Sequence, residues 1–400
     1  MIGGVFRLRY QNATKVLPTE LIEQIQQYVQ GEYIYIPIKD KEPETNMTDY
    51  AIEIQKRDAH IYTKHLEGLK NKDLAKRYSL SESSIRRIII KQRRGYQEMN
   101  NGINAILVNW DIKNAEVKQI YDSAWQVGDE YVLKVYDNPT RLERNIKIIT
   151  ILYDLGIPVG RLIANKNNAI YSKDEHNYYI LTEKLKGSNI VSTRELDKLS
   201  NKMGKIIADL HNAFLQCEKQ DDFWEKSLLS EMKGWIRDTF SKNEWVMVDK
   251  SLYDDTLLNL EKLYGTLPVQ LIHRDVHFGN FLFDKGNFSG YIDFDLSQRN
   301  IRIFDLCYFV LGLLSEEETI VITEEKWFDI LKNVFRGYDE VNKLLPQEIQ
   351  AVPYVMKSIE LLFAAWFLKQ DDMKCSENAV KIFNFINDNM VKIVDTLKLV

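Results

Sequence analysis

Residues Leu271 to Phe309 read LIHRDVHFGNFLFDKGNFSGYIDFDLSQRNIRIFDLCYF. Leu271 and Ile272 close an apolar strand. His273, Arg274 and Asp275 open a polar loop, and Asn280 ends it. Phe281, Leu282 and Phe283 form a short buried run, and Asp284-Lys285-Gly286-Asn287 carries turn chemistry, with glycine free to take positive φ. Tyr291 and Ile292 resume the strand, which Asp293-Phe294-Asp295 ends. This layout delivers Asp275, Asn280 and Asp293 to one edge of one small sheet. Phosphoryl transfer needs such a set: one carboxylate to orient or deprotonate the attacking hydroxyl, and an amide oxygen with a second carboxylate to hold a divalent metal.

The H-x-D-x-x-x-x-N spacing followed by D-F fits the catalytic-loop and metal-binding signatures of kinases. With these residues the segment resembles the catalytic loop and DFG equivalent of the aminoglycoside phosphotransferase and choline-kinase-like family of small-molecule kinases. The resemblance implies a protein-kinase-like fold, Asp275 as catalytic base, and Asn280 and Asp293 as Mg2+ ligands. Asp295 stands where protein kinases have glycine, a place for a second-metal or acceptor contact. Asp305 resembles the family's aspartate that bonds the loop backbone, and His273 is read as structural. His277 is read as a loop surface residue or a substrate contact, and His211 as a packed or capping histidine.

The same resemblance organises the chain upstream. Lys134 sits inside the alternating strand Tyr131-Val132-Leu133-Lys134-Val135-Tyr136. A lysine there is unusual unless its head reaches a partner, and the equivalent lysine of the family grips nucleotide phosphates and pairs with a helix glutamate. The next helix starts at Pro139, with Leu142, Ile146, Ile149 and Tyr153 as its expected buried stripe. Glu143 is the only acid between Pro139 and Tyr153, so it is the expected partner of Lys134. Glu183-Lys184-Leu185 resembles the hinge whose backbone meets the adenine edge, making Glu183 and Leu185 candidate nucleotide contacts. There is no G-x-G-x-x-G. The segment from Phe223 to Trp245 is expected to be helical, where family members build an acceptor pocket.

The first part of the chain reads differently. Leu21, Ile22, Ile25 and Val29 recur at helical spacing, and Lys39 to Asn46 reads as a linker. Gln55 to Arg94 holds twelve Lys or Arg against four Asp or Glu, a net of +8, in a chain whose net charge is -5. Leu74, Ala75 and Tyr78 mark one short helix. Ser81 is an N-cap for the next, whose Ile85, Ile88 and Ile89 face inward and leave Arg86, Arg87, Lys91, Arg93 and Arg94 to solvent. Two helices across a short turn, the second basic, match a helix-turn-helix at about 70–94 and resemble that of bacterial regulators, with Ser83, Ser84 and Arg87 at base-facing positions. Such a unit serves either DNA contact or docking onto a partner or onto the chain itself. Gly95 to Asn114 reads as a connector.

Hydrophobic residues at 45% supply a sizeable core, and the net charge excludes a global polycation. Cys217, Cys307 and Cys375 lie far apart without C-x-x-C, which points away from disulfides and zinc and towards a cytoplasmic setting. No signal peptide and no membrane span of roughly 18 apolar residues are expected. The expected fold is α+β: a small helical domain with the helix-turn-helix (1–96), a kinase-like N-lobe with a small antiparallel sheet (97–186), and a mainly helical C-lobe (187–400). The expected activity moves the γ-phosphate of ATP, or of another nucleoside triphosphate, with Mg2+ onto a hydroxyl of a metabolite or an aminoglycoside-like antibiotic. The alternative is a DNA-binding regulator using a kinase-like domain as a metabolite or nucleotide sensor, for which a dimer is plausible. A protein kinase ranks last, because only a dozen residues separate Asp293 from Asp305.

Overall fold

The structure, a computed structural model, describes residues 68–78, 80–121, 123–189, 193–314 and 322–398, with isolated positions between 18 and 65. Apart from Leu21 and Ile22, the helix expected to Val29 and the linker from Lys39 lie outside the described residues. The chain divides into two compact units, Met1–Ala105 and Ile106–Val400.

In the first unit, α1 (Asn71–Tyr78) and α2 (Glu82–Leu107) flank the turn at Ser81. The Ser81 hydroxyl accepts the Ser84 N–H at 3.1 Å, so the serine caps α2 as its sequence suggests. Leu74, Ile85, Ile88 and Ile89 are buried together with Ile61 and Tyr62. The connector expected from Gly95 is instead helical: α2 continues to Leu107, and a short 3-10 turn (Val108–Trp110) follows. Ile103 and Leu107, four apart, are buried on one face. That burial outweighs the roughly 1 kcal/mol that each helical glycine, Gly95 and Gly102, costs.

The second unit opens with a five-stranded antiparallel sheet in the order β1-β2-β3-β5-β4, from β1 (Val117–Tyr121), β2 (Ala124–Val127), β3 (Tyr131–Tyr136), β4 (Tyr171–Lys173) and β5 (Tyr178–Glu183). Between β3 and β4 lies α3 (Pro139–Asp154). Asn138 caps it by accepting the Arg141 N–H, and Pro139 occupies the first helical position, where its missing N–H costs nothing. Its buried stripe is Leu142, Asn145, Ile148, Ile149 and Leu152, while Tyr153 is exposed. The expected stripe is thus rotated, which brings a polar side chain, Asn145, inside.

The helical lobe begins with α4 (Thr193–Cys217). The expected continuous helix over Phe223–Trp245 is broken into α5 (Leu228–Glu231), a π turn (Met232–Ile236) and α6 (Arg237–Lys242), with Gly234 off the helical backbone at φ -104° and ψ -114°. α7 (Lys250–Tyr264) leads into β6 (Val269–Ile272), which pairs with β9 (Gln298–Ile301). Between them stands the hairpin β7 (Phe281–Asp284) and β8 (Asn287–Tyr291). Lys285 and Gly286 turn that hairpin with positive φ at both positions, the twist two-residue hairpin loops require. Five helices close the lobe: α8 (Ile303–Leu311), α9 (Glu324–Asp339), α10 (Pro346–Lys369), α11 (Met373–Asp388) and α12 (Met390–Leu397). α10 is long and apolar enough to cross a membrane, yet 72% of that window is buried. It is the central core helix, packed by α8, α7 and α11.

Candidate active site

The loop after β6 is held from below. Asp305, fully buried in the first turn of α8, accepts the His273 N–H and the Arg274 N–H, each at 2.8 Å, through its two carboxylate oxygens. His211 of α4 reaches the same carboxylate at 3.0 Å and is itself tied to the Tyr338 hydroxyl. These contacts hold Arg274 in the left-handed region (φ 66°), a conformation costing a non-glycine residue on the order of 1 kcal/mol or more. The Arg274 guanidinium pairs at 2.6 Å with buried Glu231 of α5, so the broken helical insertion is clamped to the loop.

Asp275 follows directly. Its Oδ1 accepts the Tyr308 hydroxyl at 2.8 Å, and its Oδ2 accepts the Asn280 amide at 3.1 Å. The His277 imidazole stands 3.6 Å from Oδ2. Burial alone would raise the carboxyl pKa, but His277 and the Tyr308 hydrogen bond outweigh it and hold it at about 2. Asp275 is an anion at neutral pH, fixed at both oxygens. Because the Asn280 nitrogen bonds Asp275, its amide oxygen is the atom left to face a cation. The Asn280 backbone carbonyl accepts the Ile292 N–H at 3.1 Å, which ties the loop to the residue before Asp293.

Asp293 also takes the left-handed backbone, with φ 66°. Its Oδ1 receives the Lys134 ammonium at 2.8 Å, and Asp295 Oδ2 receives it at 2.8 Å. Burial by itself would lower the lysine pKa, but Asp295 and Asp293 more than offset this and keep it above the ordinary value. Asp295 is fixed in turn by the Tyr136 hydroxyl and the Asn145 amide.

Of the expected site residues, the structure brings Asp275 and Asn280 into contact, ties Asn280 by its backbone to the residue before Asp293, and puts Lys134 on Asp293. It does not bring Glu143 to Lys134. Glu143 is exposed, one position round the helix from buried Leu142, and the carboxylates at Lys134 come from Asp293 and Asp295. Asn145 occupies the inward place that an acid was expected to fill. Glu183 ends β5 with its side chain paired to Arg161 at 2.5 Å. The backbone N–H groups of Glu183 and Lys184 are engaged by the carbonyls of Arg161 and Glu130. Leu185 follows β5.

The sequence reading missed Tyr308, Tyr136, Asn145 and Glu231. Two signals were available: Tyr308 lies one helical turn after Asp305, and an amide among aliphatic residues, as at Asn145, marks a helix face with a polar partner. Asn280 and Asp293 offer an amide oxygen and a carboxylate, the hard donor set Mg2+ takes when phosphate oxygens complete its shell, so the residues fit that ion.

Residues 116–342 match the model of the phosphotransferase enzyme family, and residues 6–102 that of the Mor transcription activator family. Among solved structures, the chain resembles the amicoumacin kinase hAmiN in complex with AMP-PNP, Ca2+ and Ami. Identity there is 15% over 75% of this chain and 96% of the other, at TM-score 0.58. Spectinomycin phosphotransferase, in complex with ADP and spectinomycin, is 16% identical over 72% of this chain and 98% of its own, at TM-score 0.51. A choline kinase from Cryptosporidium parvum Iowa II is 16% identical over 74% and 96%, at TM-score 0.52. An uncharacterized protein, YraL of Bacillus subtilis (strain 168), is 34% identical over 88 residues, 20% of this chain and 97% of that protein. The solved structures share the kinase-like fold, and with the family match over more than half its length the chain belongs to the phosphotransferase enzyme family, a family of small-molecule kinases.

Proposed function

We propose that the chain transfers the γ-phosphate of ATP, or of another nucleoside triphosphate, to a hydroxyl of a small metabolite or an aminoglycoside-like antibiotic. One observation carries this reading: a carboxylate held anionic, Asp275, stands on the same loop as Asn280, whose carbonyl is bonded next to Asp293 and its lysine. Asp275 orients the acceptor hydroxyl and takes its proton as the phosphorus–oxygen bond forms, which suits a loose transition state that asks little of the base. Lys134 binds the nucleotide phosphates, and Asp295, braced by Tyr136 and Asn145, keeps it aimed. Asn280 and Asp293 would hold Mg2+, which supplies charge neutralisation on the transferred group. Leu185 presents backbone to the adenine. A cytoplasmic setting is supported by three unpaired cysteines. The test is coupled ADP release over a panel of amino alcohols, sugars and aminoglycosides. Turnover of at least one, dependent on Mg2+, is expected, and no release above the blank with any would remove the reading.

A second reading concerns the first unit. Arg86, Arg87 and Lys91 of α2 are exposed, and the match to a transcription-activator family covers this part of the chain. We infer DNA as a further partner of residues 70–94, held mainly through phosphates. The side chains of Arg93 and Arg94 lie outside the described residues.

A further inference from the structure

The helix α3 is shared between two cores. Its Leu142 packs with Tyr136 and Ile180 of the sheet, whereas Ile148, Ile149 and Leu152 join the core of the helical lobe. One flank, at i and i+3, reaches the segment between α4 and α5. The Arg144 guanidinium lies flat over the Trp224 indole, 3.7 Å from the ring centroid, and the Lys147 ammonium pairs with Asp221 at 2.6 Å. The two contacts differ in weight. Lys147 is half exposed, and an ion pair in water contributes little. Arg144 and Trp224 are both half-buried, and a planar cation on a partly desolvated indole is the strongest form of this contact.

Trp224 is a fixed anchor. Its carbonyl accepts the Arg299 N–H of β9 at 3.0 Å, and two residues on, the Lys226 carbonyl accepts the side-chain amides of Gln298 and Asn300. Seven residues after Trp224, Glu231 clamps Arg274 of the catalytic loop. On the other side of the contact, the residue after Arg144 is Asn145. Its amide donates to Asp295 Oδ1, and Asp295 Oδ2 takes the Lys134 ammonium. Of the two carboxylates on Lys134, Asp293 is the one a metal would claim, which leaves Asp295 to keep the lysine in place. A chain of contacts thus runs from Trp224 through Arg144 and its neighbour Asn145 to Asp295 and Lys134.

We propose that Arg144 and Trp224 are positioning residues for Lys134. By pinning α3 to the segment fixed on β9, they hold Asn145 and Asp295 where the lysine meets the nucleotide phosphates. The same segment holds the catalytic loop through Glu231, so the phosphate side and the acceptor side of the site share one support. This rests on the phosphotransferase reading above and adds to it two residues outside the reacting centre.

The test asks whether the contact serves the phosphates in particular. With Mg2+ present, calorimetry gives the affinities of ADP and of adenosine, which lacks phosphates, for the wild type, Arg144→Ala, Trp224→Leu, Trp224→Phe and Lys147→Met. Thermal unfolding of each variant reports its folding. Arg144→Ala and Trp224→Leu should weaken ADP about fivefold or more and leave adenosine within about twofold. Trp224→Phe, which keeps a ring face, should recover most of the loss, and Lys147→Met should change neither ligand. In a Lys134→Met background, adding Arg144→Ala should cost no further ADP affinity, because the residue it acts through is gone. The proposal alone is overturned if ADP affinity is unmoved in both variants, or if ADP and adenosine weaken together. A loss that persists without Lys134, or one from Lys147→Met as large as that from Arg144→Ala, overturns it equally. A wild type that binds no ADP would overturn the phosphotransferase reading, and this one with it.

Discussion

Asp275 is held at both oxygens before any acceptor arrives, by Tyr308 on one side and Asn280 on the other. Positioning of this kind accounts for much of what a kinase loop contributes, since the phosphoryl group is transferred through a loose transition state. Asp275→Asn keeps the shape and loses the charge, so turnover should fall roughly a hundred- to ten-thousand-fold while ADP affinity stays within about a factor of two. Steady-state rates and a nucleotide titration check both. Glu360 gives a second residue-scale prediction. Burial lifts its pKa to about 8, whereas unfolded it titrates as an ordinary glutamic acid. The folded state therefore keeps a proton that the unfolded state has lost. The stability this group contributes is present below about pH 4.5 and is lost as pH rises towards 8. Between pH 5 and 8 the wild type should lose on the order of 3 kcal/mol relative to Glu360→Gln, measured by urea unfolding of both proteins at each pH. That Asp275 and Asn280 lie together, and Lys134 beside Asp293, was legible because the spacing of the loop and the lysine's place inside a strand restrict where these side chains can go. Glu143 was misread because being the sole acid of a helix does not place it on the inward face. Helical phase does, and the phase was wrong by one position. Glu360 could not be read at all, since a burial cost is invisible until the packing is known.

The catalytic loop shows how an element without regular structure is kept in one conformation. Two of its backbone N–H groups end on Asp305 of α8, its tip is tied to Ile292, and the Arg274 side chain is tied to α5. Asp305→Ala would leave two buried N–H donors and His211 without their acceptor, and would release the left-handed Arg274. It should cost about 3 kcal/mol or more in urea unfolding, because the penalty of several unsatisfied buried donors adds to the lost bonds. Turnover should fall as well, even though Asp305 is given no contact with the reacting atoms. Unchanged stability in that variant would mean that the loop is held by something else. The hairpin around this loop was readable from alternating apolar residues and its Lys285-Gly286 turn. The break of the insertion at Gly234 was not, because a single glycine within a segment expected to be helical does not show where the backbone will leave the helix. The length of α2 was missed for the opposite reason: glycines suggested a connector, while Ile103 and Leu107 had already placed buried side chains at helical spacing.

At the scale of the whole molecule, the chain joins a negatively charged phosphotransferase to a first unit that carries the positive charge. Gln55–Arg94 carries a net of +8, and within it α2 exposes Arg86, Arg87 and Lys91. Arg86 has only a loose exposed pairing with Glu82, at 3.8 Å, worth a few tenths of a kcal/mol and readily exchanged for a phosphate. Each phosphate neutralised releases a counterion, so binding should weaken with a log–log salt slope of about 0.9 per contact. Full-length protein titrated into a labelled duplex at several salt concentrations should thus show steep, largely sequence-independent retention. The double variant Arg86→Ala, Arg87→Ala should lower that slope by about two for each copy of the chain on the duplex. Its ADP affinity should be unchanged, because both arginines belong to the compact unit that lacks the nucleotide-site residues. A wild type that gives no retention even at low salt would leave the paired helices as a packing device. A slope that the double variant does not move would place the contacts on other basic residues than these two.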